Sequence, residues 1–246
     1  MSHLALALRQ IGYENRAFWR NPPAAFFTFA FPLLFMVIFN VLFGADAAGF
    51  FTPAIIVLGV VTATYTNLAM TVTIARDAGI LKRIRGTPLP PSAYLAGRIG
   101  HAVLIGLLLV VIVATFGAVV YGVAVPWDAM PAILLLLAVS SAAFSALGLA
   151  VSGVIPNADA APAVVNATIL PVLFVSNVFI RMDAAPGWVD AVSRLLPVRH
   201  FADAMMELYG SGAEAGVPWV EIGMIAAWGV IGVAAAFRFF SWEPRR

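Results

Sequence analysis

The stretch from Arg76 to Arg98, RDAGILKRIRGTPLPPSAYLAGR, lies between two apolar runs, at 54–75 and 99–121, that are each long enough to cross a bilayer. It carries five basic residues and one acidic residue, although charged residues make up only 11% of the chain. Positive charge concentrated between two membrane spans predicts a loop on the cytoplasmic side. This loop sets the orientation of every other segment.

The composition as a whole predicts an integral membrane protein. Hydrophobic residues make up 62% of the chain and the mean hydropathy is +0.97, whereas soluble domains carry charge on about a quarter of their residues. The chain has no cysteine, so neither a disulfide framework nor a thiolate site is expected. Its 14 basic and 12 acidic residues are nearly balanced. We therefore expect the basic residues to orient the protein in a membrane rather than to bind nucleic acid.

Six runs are long enough for spanning helices, which need about 20 mostly apolar residues to cross about 30 Å of hydrocarbon. They lie at 25–43, 54–75, 99–121, 132–154, 163–180 and 219–240. The predicted fold class is an all-α integral membrane protein with six transmembrane helices in one domain over residues 1–246.

Residues 1–21 have the pattern of an amphipathic helix lying in the membrane interface. Apolar residues recur on one helical face, at Leu4, Leu8, Ile11 and Phe18. Charged residues interrupt the segment, which excludes a signal peptide: Arg9, Glu14, Arg16 and Arg20. Asn21, Pro22 and Pro23 are expected to end this helix before the first span.

The distribution of basic residues predicts that both chain ends face the cytoplasm. In that orientation 11 basic residues are cytoplasmic, and only Arg181, Arg194 and Arg199 are external. The external segment 181–218 is longer than the other outer loops. Its apolar residues recur at helical spacing and predict two short amphipathic helices in the outer leaflet, from Trp188, Val189, Val192 and Leu195 and from Phe201, Met205 and Leu208.

The basic loop contains signals for a short helix at 77–86. Asp77 is a favoured N-cap residue, and Gly86 followed by Pro88 favours a helix end. Ile80, Leu81 and Ile84 form an apolar stripe. Lys82, Arg83 and Arg85 add positive charge. The charges alone fit topology determinants that attract anionic lipid. The stripe favours a second interpretation, in which the helix docks into a groove of a partner protein.

Two motifs resemble those of the membrane subunits of type-2 ABC exporters, the export permeases for drugs, polysaccharides and lipids. One is the basic loop, with its acidic residue, Gly, basic turn and Thr-Pro-Leu-Pro. The other is PGWVDAVSRLLPVRHFADAMMELYG, from Pro186 to Gly210, before the last span. With six spans and an N-terminal interface helix, the resemblance covers essentially the whole chain. One departure is Asp77, where many members have Glu.

The resemblance implies that 77–86 is a coupling helix seated on a separate ATP-binding subunit. Its residues would be Asp77, Gly79, Ile80, Leu81, Lys82, Arg83, Ile84 and Arg85, with Glu14, Arg16 and Arg20 of the interface helix beside it. The resemblance also implies two ATPase subunits, which bind ATP and Mg²⁺, and a second permease chain, either a copy or a sister. The chain itself lacks a phosphate loop, because its single lysine, Lys82, follows Leu81 rather than Gly. We therefore expect a transport subunit without its own ATPase site. The expected location is the inner membrane of a bacterium, where the chain contacts lipids.

Polar residues within the spans are candidates for a translocation cavity, because unpaired polar groups are costly in hydrocarbon. The resemblance implies that spans one, two and five line the path. The candidates are Asn40, Tyr65, Asn67, Asn166 and Asn177, with apolar walls from Phe35, Phe39 and Phe174. Packing between helices is the alternative role for the polar residues. A metal site is not expected, since the three histidines are far apart in sequence.

The function predicted from the sequence is ATP-driven export of a hydrophobic or amphipathic drug or lipid. Export of a polysaccharide or glycolipid remains an alternative, and a stand-alone secondary carrier is a weaker one. Such a carrier would need buried carboxylates for ion coupling, and Asp and Glu are absent from the middle of every predicted span. An intramembrane serine enzyme is disfavoured because the chain has no G-x-S-x-G motif.

Overall fold

The computed structural model describes residues 3–44, 47–87, 89–179 and 186–242. Within these ranges the chain forms eleven α-helices and no strand. The helices are α1 (His3–Trp19), α2 (Pro22–Phe43), α3 (Ala48–Val61), α4 (Asn67–Asp77), α5 (Ile80–Arg85), α6 (Pro91–Tyr121), α7 (Met130–Val154), α8 (Ala161–Phe174), α9 (Gly187–Ser193), α10 (Pro197–Ser211) and α11 (Trp219–Phe239).

The predicted all-α membrane fold is confirmed. Five segments are helical, apolar and long enough to cross a bilayer: Ala25–Phe43, Ala48–Asp77, Ser92–Tyr121, Trp127–Val154 and Trp219–Phe239. They correspond to five of the six predicted spans. The remaining predicted span contains the shorter apolar helix α8.

The predicted span 163–180 is helical only as far as Phe174. The 14 residues of α8 rise about 21 Å, which is less than the thickness of the hydrocarbon core. Turns follow α8, and Asn177 adopts a left-handed backbone with φ of 61°. The Asn177 side chain donates a hydrogen bond to Asp203 of α10 at 2.9 Å. A contact with a helix distant in sequence therefore accompanies the early end of α8. The last residue of the predicted span, Ile180, lies outside the described residues.

The second span is one continuous helical segment in which α3 and α4 are joined by a π-helical turn, Thr62–Thr66. Gly148 of α7 lies directly against this turn. A Cβ atom on Gly148 would lie 2.7 Å from the carbonyl oxygen of Tyr65. The α7 backbone can therefore approach the π turn only because residue 148 has no side chain.

Helix α11 packs along α7 through small residues on both helices. Gly229 lies against Ala143, and Gly232 lies against Ala146 and Leu147, so closely that a Cβ atom on either glycine would meet atoms of α7 at 2.8–3.2 Å. Small residues allow membrane helices to approach closely when lipid supplies no hydrophobic driving force. The two long helices form a close pair that includes the last span.

The N-terminal amphipathic helix is present as α1 and packs on the first half of α6. Gly97 and Gly100 of α6 leave room for Gln10 and Ile11, whose side chains would be within 2.5 Å of a Cβ atom at those glycines. An ion pair also joins the two helices, with Arg98 Nε 3.3 Å from a carboxylate oxygen of Glu14.

The apolar stripe of α1 is divided between two environments. Leu4 and Leu8 are exposed on the surface of the chain, whereas Ile11 and Phe18 are half-buried against the bundle. The second half of the helix is therefore fixed to the protein, and the first half presents leucines that suit lipid.

Two short helices, α9 and α10, precede the last span, as the sequence predicts. Phe201, Met205 and Leu208 of α10 are fully buried, so this helix is part of the bundle. The apolar residues Trp188 and Val192 of α9 are exposed instead. The first residues of the external segment, 181–185, lie outside the described residues.

Polar side chains join α9 and α10 to each other and to the end of α8. Arg199 pairs with Asp203 at 2.5 Å and with Asp190 at 3.6 Å. Asp203 also accepts the hydrogen bond from Asn177. A buried arginine therefore holds α9, α10 and the α8 turn together through two carboxylates.

We predict that Gly148→Ala lowers the thermal unfolding temperature of the purified protein in detergent. The added methyl group would meet backbone atoms of Tyr65, and overpacking of this kind costs about 1–3 kcal/mol. Gly223→Ala in α11 is the matched control, because nothing lies within 4 Å of the position that its Cβ atom would take. Equal unfolding temperatures for the two variants would contradict the close contact at the π turn.

Candidate functional site

The basic loop forms a shorter helix than the sequence predicts. The sequence favours Asp77 as the cap of a helix over 77–86, but Asp77 is the last residue of α4. Gly79 then adopts a left-handed conformation with φ of 69°, and α5 begins at Ile80. The helical pattern of the span thus continues through Asp77, and the chain turns at Gly79, where glycine is favoured.

The Asp77 carboxylate has a different contact from the predicted cap. Its Oδ2 atom accepts a hydrogen bond from the backbone N–H of Ala158 at 3.0 Å. Ala158 lies in the connection between α7 and α8. Asp77 therefore ties the beginning of the basic loop to the neighbouring loop on the same end of the bundle.

Arg76 is buried at the end of α7, with only 1% of its surface exposed. Its guanidinium donates hydrogen bonds to the carbonyl oxygens of Ser152 at 2.7 Å and Ile155 at 2.5 Å. A cation at this position pairs with the negative end of the α7 dipole and with carbonyls that lack helical partners. The sequence indicates Arg76 only as a topology determinant, because its position resembles that of any arginine at a membrane edge.

Leu81 is fully buried within this chain. It belongs to an apolar cluster with Leu68, Val72, Tyr94 and Leu149. The expectation that Leu81 takes part in docking on a partner stays a prediction, although the structure buries this side chain within its own chain. The apolar stripe of the short helix is real, but Leu81 anchors α5 to α4, α6 and α7 of the same chain.

The outward surface of α5 is formed by other residues. Ile80 is 43% exposed, and Lys82 and Arg83 are exposed, whereas Ile84 is half-buried beside the apolar cluster. Arg85 ends the helix, and its side chain lies outside what the structure describes. A partner approaching α5 would thus meet one isoleucine and at least two positive charges.

The interface helix contributes charges near the same end of the bundle. Glu14 pairs with Arg98, and Arg16 and Arg20 are exposed. Pro22 begins α2 directly after α1. The exposed arginines and the outward surface of α5 form the basic surface of the chain at this end, which we call the α5 end.

The polar residues predicted for a translocation cavity do not meet at one point. The Tyr65 hydroxyl lies 2.7 Å from Thr168 Oγ1 on α8, and Asn166 is exposed on that helix. Asn67 lines a separate cavity beside α1 and α6. Asn177 contacts α10 at the opposite end of the molecule from α5. Their role in translocation stays a prediction.

The three predicted aromatic residues converge at the C-terminal ends of α2 and α8. Phe35, Phe39 and Phe174 have ring centroids 6.0, 6.1 and 5.0 Å from that of Phe179. Asn40 lies nearby in α2 and is buried, and its side chain donates to the carbonyl of Met36 at 2.7 Å. An aromatic cluster therefore covers this end of the α8 surface.

Several hydroxyl groups of the second span bond within their own helix. Thr64, Thr71 and Thr73 each donate to the backbone carbonyl four residues earlier, at 2.6–2.8 Å. Back-bonding of this kind satisfies threonine in hydrocarbon without a second helix. These threonines need no ligand to explain them.

The described residues thus form a bundle of apolar helices with a short basic helix fixed at one end. Residues 10–209 match the ABC-2 type transporter family, which is most of the chain. The chain belongs to the ABC-2 type transporter family. The resemblance identified from the basic loop and the segment before the last span is therefore confirmed.

A relative described as "Daunorubicin resistance ABC transporter permease protein DrrB1", from Streptomyces coeruleorubidus, is 30% identical to this chain over 205 residues. The match covers 72% of this chain and 65% of the relative. The chain thus spans slightly less than two thirds of the length of that protein.

We predict that Leu81→Ala destabilises the isolated permease, with no ATPase subunit present. Loss of a buried leucine side chain costs about 2–5 kcal/mol, and Leu81 is buried by residues of its own chain. Ile80→Ala, one position away and partly exposed, should change stability by no more than about 0.5 kcal/mol. Thermal unfolding in detergent measures both, and a wild-type value for Leu81→Ala would contradict the anchoring contact.

Proposed function

We propose that this chain is the membrane-spanning permease subunit of an ATP-driven exporter for amphipathic drugs or lipids. The observation that carries the proposal is a short basic helix, α5, whose outer surface is open while its inner surface is anchored in the bundle. Membership of the ABC-2 type transporter family and similarity to a daunorubicin resistance permease support it.

In this proposal an ATP-binding subunit docks on the outward surface of α5. Lys82 and Arg83 give that surface a positive charge, which favours an acidic groove, and Ile80 supplies an apolar contact. ATP and Mg²⁺ belong to the partner, since the only lysine of this chain is not part of a phosphate loop. Two such subunits and a second permease chain, a copy or a sister, complete the proposed assembly.

Movement of α5 would reach the spans through its anchoring contacts. Arg76 bonds to the end of α7, Asp77 bonds to the α7–α8 connection, and Leu81 packs against α4, α6 and α7. Packed elements transmit displacement because interiors are dense and have low compressibility. A push on α5 is therefore expected to displace the ends of several helices together.

The exposed surface of α8 is the proposed permease dimer interface. Asn166 and Thr168 are exposed there in a helix that is otherwise apolar. A lipid-exposed amide is unfavourable in hydrocarbon, so a second chain or a transported molecule is the better neighbour. The aromatic cluster at the end of α8 would supply apolar contacts farther along this surface.

The proposed location is the inner membrane of a bacterium, with both chain ends and the α5 end in the cytoplasm. The distribution of basic residues in the sequence supports this orientation. The outer helices α9 and α10 would then close the external side.

Transport in inverted membrane vesicles tests the proposal. Vesicles contain the chain together with the ATP-binding subunit that copurifies with it, and daunorubicin uptake is measured by fluorescence after addition of ATP and Mg²⁺. We expect uptake that requires both chains and ATP. Uptake driven by an ion gradient without ATP would support a secondary carrier instead, and uptake of neither kind would contradict drug export.

We predict that reversing both exposed charges of α5, Lys82→Glu with Arg83→Glu, reduces copurification of the ATP-binding subunit and ATP-dependent uptake together. Single exposed ion pairs contribute at most about 1 kcal/mol, so the double reversal is needed. Glu214→Lys, which reverses an exposed charge in the segment between α10 and α11, is the control. Full copurification of the double variant would contradict docking on α5.

We predict that Asn166→Leu leaves membrane insertion intact and changes daunorubicin uptake or substrate-stimulated ATP hydrolysis. Leucine is favourable in lipid, so insertion should not suffer. Ala167→Leu, at the next exposed position of α8, controls for added bulk. If both variants transport like the wild type, Asn166 has no supported role in the path.

A further inference from the structure

A cavity of about 560 Å³ lies near the α5 end, away from the exposed surface of α8. It is an open cleft bordered by α1, α2, the π turn, α4 and α6, with Ile80 of α5 also lining it. Nine of its 18 lining residues are apolar and nine are polar or charged. This combination is typical of sites that bind small amphipathic molecules.

Glu14 gives the cavity a carboxylate with remaining capacity to accept hydrogen bonds. Arg98 Nε lies 3.3 Å from Oε1, and Gln10 donates to the same oxygen at 3.0 Å. Among the described residues, both contacts of this carboxylate are thus made through Oε1. A carboxylate has about four acceptor positions on its two oxygens, so Oε2 can accept from a ligand.

The end of α1 adds partial negative charge to the same cavity. Ala17, Phe18 and Asn21 line the wall where this 17-residue helix ends at Trp19. The carbonyl end of a helix favours a cation, as does the face of an aromatic ring such as Phe18.

Arg98, the one other charged residue lining the cavity in the described part of the chain, is already engaged. Its guanidinium pairs with Glu14 and lies 5.1 Å from the ring centroid of Tyr94. The Glu14–Arg98 pair is neutral as a whole. An ammonium group can join it through Oε2 at the carbonyl end of α1, and these two features favour a cationic ligand.

Polar groups on α4 and α6 complete the site. Thr66 and Asn67 line the cavity from the second span, and His101 lines it from α6. His101 is only 9% exposed, and its Nδ1 atom has no hydrogen-bond partner among the described residues. That nitrogen is shielded from the cavity, so His101 forms part of the wall through its ring and does not bind a ligand through Nδ1.

We propose that this cavity binds an amphipathic amine, with its ammonium group on Glu14 Oε2 and its apolar body along Met70 and Ile74 of α4. Two sources share this chemistry: a lipid with an ethanolamine headgroup, and a transported amine such as daunorubicin. The second source rests on the proposed function, and the first does not. In either case the site is separate from the proposed dimer interface.

Binding to the full-length chain in phosphatidylcholine nanodiscs tests the site. The probes are daunorubicin and its N-acetylated form, which lacks the positive charge, and fluorescence measures both affinities. We expect the wild type to prefer the amine by about tenfold, which corresponds to about 1.4 kcal/mol. We expect Glu14→Gln to remove that preference, and Glu221→Gln, near the start of α11, to retain it.

The ratio of the two affinities keeps the test valid if Glu14→Gln also loosens the contact with Arg98. A general loss of structure weakens both probes, whereas loss of the carboxylate weakens only the amine. Asn67→Leu provides a second variant on a different helix, and we expect it to weaken both probes. An equal affinity for the two probes in the wild type, or an unchanged preference in Glu14→Gln, would overturn the proposal.

Nanodiscs containing phosphatidylethanolamine distinguish the two sources. If the lipid occupies the site, it weakens daunorubicin binding to the wild type but not to Glu14→Gln. If it has no effect, a transported amine is the supported occupant. If the vesicles do not export daunorubicin but the chain still prefers the amine, the proposal of drug export is contradicted and the proposed site is not. If the vesicles export daunorubicin but the chain shows no preference for the amine, the proposed site is contradicted and drug export is not.

Discussion

The buried guanidinium of Arg76 is the interaction on which the α5 end of the bundle depends. A cation in an apolar environment is costly unless its donors are satisfied, and Arg76 is satisfied by carbonyls at the end of α7. This bond fixes the end of the second span against the fourth. Asp77, Gly79 and Leu81 come shortly after it in the chain, and the contacts of Asp77 and Leu81 hold the next segment against the same end of the bundle.

Hydropathy predicted most of the fold, because each long apolar run must satisfy its backbone internally and helices do so. The boundaries of α8 were not predictable in the same way. They depend on Asn177 and on its partner Asp203, which is 26 residues away in sequence. Contacts of that kind leave no periodic signal in the sequence.

The candidate site shows a similar division. The stripe at Ile80, Leu81 and Ile84 predicted a helix with one apolar face, but a stripe does not specify what covers that face. The structure covers Leu81 with its own chain and leaves the charges outside. Likewise, Asn67 could be selected from the sequence because it is a polar residue in a predicted span. Its neighbours in the cavity, Glu14 and His101, come from α1 and α6, and only the structure shows that the three lie together.

The π turn at Thr62–Thr66 also sets the rotational phase of the second span. A π turn accommodates one residue more than an α-helical turn over nearly the same rotation, so the side chains before and after it keep the directions of one continuous α-helix although the chain is one residue longer. Tyr65 faces α8, Asn67 faces the cavity, and Arg76 faces α7 only in the present phase. If the same five residues were α-helical, the later half of the span would be rotated by roughly 100°, and Asn67 and Arg76 would turn away from the cavity and from α7.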